Sequence, residues 1–201
     1  MGKKWGYKRD FNASVKTLPS CMNKLIEEGV YVDWFSVQNL PAGHPFRKYD
    51  IRSKIDVFAS FIKLDKVPQT IQELQDLQDS LVPIGARSNL KNDDQFIILK
   101  DTEVKVLRSG LVSGQKFDHP DKFLYYNTKL DYECPTTIFL VKAKPLLTAY
   151  DVMNTDGTLI NKYRKPDCYG DGREYNHFSV SFVEFVSGEK VWDWPKNSLK
   201  F

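Results

Sequence analysis

Apolar residues recur along this chain with two different periods, and the change falls near residue 94. Before it the spacing is mostly helical. Ser20 stands where it can cap a short helix carrying Met22, Leu25 and Ile26, which stops at Gly29. Residues 30–37 are β-branched and aromatic and predict a strand, followed by a loop marked by Pro41, Gly43 and Pro45. Over residues 50–64, Ile51, Ile55, Phe58 and Ile62 fall on one helical face, with Asp50 as cap. A second helix follows Pro68, because Thr70 and Glu73 have capping-box spacing and Ile71, Leu74, Leu77 and Leu81 form an apolar stripe. Pro83 and Gly85 are expected to end it.

Beyond residue 94 the period shortens towards two. Residues 96–99, 103–108, 123–127, 136–143, 146–153, 158–163, 177–186 and 190–194 read as short strands. Residues 154–157 (Asn-Thr-Asp-Gly) read as a hairpin turn and Ser187-Gly188 as a second. In the late strand, Phe178, Val180 and Phe182 alternate with serines, after which Val183 and Phe185 take the opposite phase around Glu184. A strand changes phase only by an inserted residue, so a β-bulge is expected at 182–183. Helices first and strands afterwards predict an α+β fold: N-terminal helices followed by a mainly antiparallel β-sheet with a bulged late strand. The simplest division is an arm over residues 1–26 and one α+β domain over 27–201.

Charge sharpens that division. The net charge of +3 is uneven, for residues 1–26 hold six basic side chains (Lys3, Lys4, Lys8, Arg9, Lys16, Lys24) against Asp10 alone, a balance of +5. The remainder holds 23 basic and 25 acidic side chains, a balance of −2. A body that gripped a nucleic-acid backbone would concentrate cations on a folded face, so the body is not the expected polyanion site. The arm interleaves Trp5, Tyr7 and Phe11 with Lys3, Lys4, Lys8 and Arg9, a pattern that can lie along a polyanion or an acidic protein surface. Cys21, Cys134 and Cys168 form neither a disulfide framework nor a zinc knuckle, which predicts an intracellular, reducing compartment, the cytoplasm foremost. No apolar run reaches the roughly 18–20 residues of a spanning helix, so no membrane insertion is expected. Gly6 stands where a myristoylation signal needs Ser or Thr.

Chemistry-bearing motifs are few. The chain has no phosphate-binding glycine loop, no GxGxxG, no HExxH, no GxSxG and no EF-hand spacing. Residues 165–177 gather Asp167, Cys168, Asp171, Glu174 and His177, but Pro166, Gly170 and Gly172 break any helix that would align them. A loop feeding the late strand is the expectation there, not a metal site. Residues 106–110 (Val-Leu-Arg-Ser-Gly), then Tyr126-Asn127-Thr128, then residues 182–191 with Glu184 and Glu189, resemble the order of motifs in arginine–serine–glutamate ADP-ribosyltransferases. In that family a strand-borne arginine, a Ser-Thr-Ser strand and a late glutamate surround NAD. The resemblance implies catalytic roles for Arg108 and Glu184 or Glu189, with NAD as cofactor, although the middle motif lacks both serines and no ExE pair is present. On the residues themselves, Arg108 is expected at a strand end, pairing with an acid. The leading expectation is a non-enzymatic subunit of a larger assembly that uses no cofactor and docks through its arm on a protein or nucleic acid. The nucleotide-transfer activity is the alternative.

Overall fold

Strict alternation along the strand Leu81–Asn89 (β3) turns Val82, Ile84 and Ala86 to one side and leaves Gly85 and Arg87 on the other. This strand is the centre of the fold. The computed structural model describes residues 13–38, 40–89, 96–127, 137–168 and 172–181. Around β3 lies a five-stranded sheet in the order β1-β2-β3-β5-β6, where β1 is Asp33–Ser36, β2 Val57–Ser60, β5 Lys122–Asn127 and β6 Thr137–Lys142. The β3–β5 pair is parallel, which requires a crossover. That crossover carries β4 (Phe96–Lys100) and the helix α4 (Asp101–Ser113), numbered after α1 (Leu18–Glu27), α2 (Arg47–Ile51) and α3 (Ile71–Asp76). A second, three-stranded sheet has the order β4-β8-β7, with β7 at Arg164–Cys168 and β8 at Glu174–Ser181, both pairings antiparallel. The α+β class holds, and the described pairings are antiparallel except β3–β5.

Helices are nevertheless spread along the chain, and several sequence expectations are corrected. Residues 103–108 are helical within α4, not a strand. Residues 146–153 lie in the helix α5 (Ala143–Thr155), and 158–163 in α6 (Gly157–Tyr163). In α5 the buried residues Ala143, Leu146, Leu147, Tyr150 and Met153 recur at three- and four-residue steps, which is a helical stripe. Pro145 is tolerated because it sits in the first turn, where the amide hydrogen has no helical partner. The supposed hairpin at 154–157 joins two helices, and Asp156 caps α6 by accepting from the amides of Thr158 (2.8 Å) and Leu159 (3.0 Å).

The long helix expected over residues 50–64 is also absent. Helix α2 stops at Ile51, Lys54 takes a left-handed φ of 60°, and Val57–Ser60 forms β2, buried on both faces. A short strand buried on both sides has a continuous apolar run that periodicity alone confuses with a helix. The capping box at Thr70 and Glu73 forms as expected, but α3 ends at Asp76, and Pro83 and Gly85 belong to β3. Ser20 lies inside α1, for which Thr17 is the N-cap without a side-chain bond.

Both faces of the large sheet are covered. Leu18, Cys21, Met22 and Leu25 of α1 pack on Val57, Ala59, Val82, Ile84, Leu124, Tyr126 and Leu140. On the opposite face, Phe123, Tyr125, Phe139 and Val141 meet α4, α5 and the small sheet through Leu107, Leu146, Tyr150, Leu99 and Phe178. Over β1 and β2 the same face carries an aromatic cluster of Phe35, Phe46, Tyr49, Phe58 and Phe117, with Phe58 and Phe117 edge to face at 4.9 Å.

Candidate functional site

The sequence-derived residues do not come together into one site. Arg108 stands on the exposed side of α4, not on a strand, because the buried side of that helix is taken by Val104, Leu107 and Gly110. Its guanidinium pairs with Asp151 of α5 and lies 5.7 Å from the Tyr150 ring. The expected acid partner is therefore present, but both side chains are about half exposed, and such pairs contribute little. The strand-borne arginine implied by the transferase resemblance is thereby corrected. Glu184, Glu189 and the bulge at 182–183 lie outside the described residues, as do Lys3, Lys4, Trp5, Tyr7, Lys8, Arg9 and Phe11.

Within residues 165–177, 165–168 and 174–177 are strand, and 169–171, Asp171 among them, lie outside the described residues. Cys168 pairs with Glu174 and Lys165 with His177 across the β7–β8 ladder, and Tyr175 donates from its hydroxyl to Asp167 Oδ2 at 3.0 Å. Among the described residues no group of three or more His, Cys, Asp or Glu side chains is placed to hold a metal ion. Burial pushes the Cys21 thiol up to about 12, which makes it an inert packing residue.

The C-terminal half of the charged N-terminal segment is fixed to the body. Helix α1 buries four apolar residues at helical spacing, and Asn23 accepts from Trp34 Nε1 of β1 at 3.1 Å. Lys24 lies 3.0 Å from Glu28 and 3.5 Å from Glu27, so its charge is met locally.

A cleft of about 760 Å³ lies between α2, α3 and the end of α4. Lys48 and Arg52, four residues apart, reach it from α2 and its C-cap. Lys116 and Asp118 enter from the turn after α4, and Gln75, Gln78, Ser109 and Gln115 supply neutral donors and acceptors. Tyr49 and Phe117 form its apolar floor but are only 7% and 8% exposed. The wall between α4 and this turn is closed by His119, whose ring fills the space that a side chain at Gly110 would need. Among the described residues, none of Lys48, Arg52 and Lys116 has a carboxylate within ion-pair distance. Lys24, Lys63, Lys66, Arg87, Arg108 and Arg164 all do.

Apart from this cleft, the protein buries an ionic triad. Arg87 of β3 meets Asp56 (Nη1 to Oδ2, 3.1 Å) and Glu103 (Nε to Oε1, 2.5 Å), whose side chains are 7% and 3% exposed. Asp56 also accepts from the Ala86 amide at 2.6 Å, and Glu103 from the Lys100 amide at 2.9 Å, where it caps α4. Burial raises the Asp56 carboxyl to about 6, against the pull of Arg87 and the Ala86 amide. Burial opposes the Arg87 charge, yet Glu103 and Asp56 together hold its pKa above the ordinary arginine value. With both carboxylates bonded to Arg87 and to a backbone amide, and little access to solvent, the triad is a structural joint.

Sequence reading missed the cleft. Its one local signal was Lys48 and Arg52, like charges on one helical face, a spacing that costs an isolated helix a few tenths of a kcal/mol. Lys116 joins them only through the tertiary fold. No family model matches the chain, and no characterised protein or solved structure matches it either.

Proposed function

We propose that the chain is a non-enzymatic interaction subunit of a larger assembly, whose α+β body presents residues 3–11 to a polyanionic or acidic partner. The observation that carries this reading is the anchoring of α1. Leu18, Cys21, Met22 and Leu25 root on the sheet the helix that follows the basic residues in sequence. Because Lys24 is already paired with Glu27 and Glu28, the docking set is Lys3, Lys4, Lys8 and Arg9, with Trp5, Tyr7 and Phe11 as stacking or packing groups. Among the described residues no helix is long and apolar enough to cross a membrane.

Fluorescence anisotropy with a single-stranded oligonucleotide and with polyglutamate, each titrated from low to physiological salt, tests the reading. One of the two polyanions should bind in a salt-dependent manner. Replacing Lys3, Lys4, Lys8 and Arg9 by Ala should lower the slope of log K against log salt by about 3 on the oligonucleotide, at ~0.7 per lost phosphate contact. Identical binding by the wild type and this variant, or no binding to either probe, overturns the reading. A nucleotide-transfer activity through Arg108 with Glu184 or Glu189 is not favoured by the helical, ion-paired position of Arg108.

A further inference from the structure

We propose that the cleft between α2, α3 and the end of α4 binds a small, polar phosphomonoester of the sugar-phosphate kind. Lys48, Arg52 and Lys116 would surround the phosphate, and Ser53 would donate a hydrogen bond to it. Three observations converge on this site. First, three cations line one cavity without a carboxylate in ion-pair contact, and a dianionic phosphate supplies the charge they lack. The Lys48 ammonium lies 5.0 Å from the Tyr49 ring, and Lys116 acts on Asp121 at longer range.

Second, Ser53, 9% exposed, also lines this cleft, and its hydroxyl supplies a donor there. Third, a volume of about 760 Å³ is that of a small-molecule site. The body of the ligand follows from the walls. Tyr49 and Phe117 offer almost no free ring surface, whereas Gln75, Gln78 and Gln115 offer amide donors and acceptors, so a hydroxylated body fits better than a flat aromatic one. Asp118 opposes an anion on its own side of the cleft. Its carboxylate is engaged by Ser113 Oγ at 2.6 Å, which leaves it placed to accept from a sugar hydroxyl.

Isothermal titration of the full chain with glucose 6-phosphate tests the assignment, with glucose, inorganic phosphate and adenosine monophosphate as comparisons. Glucose 6-phosphate should bind saturably, inorganic phosphate more weakly and glucose not at all, and binding should weaken as salt is raised. Arg52→Gln and Lys116→Gln, both at the surface, should each raise Kd about tenfold, the loss of a hydrogen bond to a charged group, and Ser53→Ala should raise it by less. Far-ultraviolet circular dichroism of each variant checks that the fold is kept. Absence of saturable binding, or equal binding by the wild type and the two Gln variants, overturns the site. Tighter binding of adenosine monophosphate overturns the polar body, and displacement of the sugar phosphate by a short oligonucleotide makes the cleft part of a polyanion track instead. The variant lacking Lys3, Lys4, Lys8 and Arg9 should bind glucose 6-phosphate as the wild type does, which separates this outcome from that of the arm.

Discussion

A β-carbon placed on Gly85 would stand 2.9 Å from the Lys54 carbonyl oxygen and 2.9 Å from Cε1 of Phe123. Gly85 sits on the face of β3 where the aromatic cluster over β1 and β2 meets the core over β5 and β6, and neither a backbone carbonyl nor a buried ring can retreat freely. Gly85→Ala is therefore expected to cost about 1–3 kcal/mol in urea denaturation, the usual penalty of overpacking. Lys54 presents the complementary case. Its φ of 60° is left-handed, an unfavourable conformation for a residue with a side chain, and its ammonium bonds the Ile51 carbonyl at 2.8 Å. Lys54→Gly should raise the midpoint of urea denaturation by an amount worth up to about 1 kcal/mol. No change or a loss would show that the Lys54 side chain contributes more than its backbone conformation costs. At this scale the sequence was legible only where the chemistry is local. Thr70 and Glu73 are three residues apart and announce their capping box, whereas nothing next to Gly85 in sequence announces the Phe123 ring.

Elements with a strong local signal formed where expected. The strands predicted at 96–99, 123–127 and 136–143 match β4, β5 and β6 to within one or two residues, because their β-branched and aromatic runs are bounded by polar or turn-forming residues. Helices α4 and α5 stand where the pattern predicts strands, and the reason is visible in their residues. Over 146–153 the sequence Leu-Leu-Thr-Ala-Tyr-Asp-Val-Met satisfies alternation and helical spacing at once, and only the burial of Leu146, Leu147, Tyr150 and Met153 on one side decides between them. Residues 103–108 carry Glu103 on the buried side of α4, which hides the helical period from a hydrophobicity pattern. For α3, a helix of six residues, the cap supplies a large share of what defines it: Glu73 accepts from the Gln69 and Thr70 amides at 2.7 and 3.1 Å, and Thr70 accepts from Glu73. Thr70→Ala should cost about 1 kcal/mol in urea denaturation, and hydrogen exchange should quicken first at the amides of residues 71–74. Uniform exchange across the molecule would mean that Leu74, fully buried, holds α3 without its cap.

Across the whole molecule, the α+β class was legible, but the division into two sheets was not, since β4 reaches β8 across some eighty residues of intervening chain. The triad of Asp56, Arg87 and Glu103 was hidden for the same reason: Asp56 lay inside a segment read as helix, and Glu103 inside one read as strand. One guanidinium there faces two carboxylates, so the buried set carries a net negative charge until it takes up a proton. Burial places that proton on Asp56, whose carboxyl titrates at about 6 in the folded chain and near 3.8 when exposed. The folded state then binds more protons than the unfolded state between these values. Stability contributed by this group is thus complete below about pH 4 and is lost as pH rises through 6, by up to about 3 kcal/mol at 1.36 kcal/mol per pKa unit. Burial also raises Asp121, in the same sense. Glu73, held down to about 2 by Lys66 and backbone amides, acts oppositely but only below pH 4.5, and Asp33, lowered by Lys63 and the Leu64 amide despite burial, shares that lower window. Urea denaturation at intervals from pH 4 to pH 8 should show stability falling to pH 6–7 and then levelling. Asp56→Asn keeps an acceptor for the Ala86 amide and leaves Arg87 and Glu103 as a neutral pair, so it should flatten most of that slope. Arg87→Met leaves two buried carboxylates without a counter-charge and should cost about 3–5 kcal/mol at pH 7, less at pH 4 where one of them is protonated. An equal cost at both pH values would place the titrating proton elsewhere than in this triad.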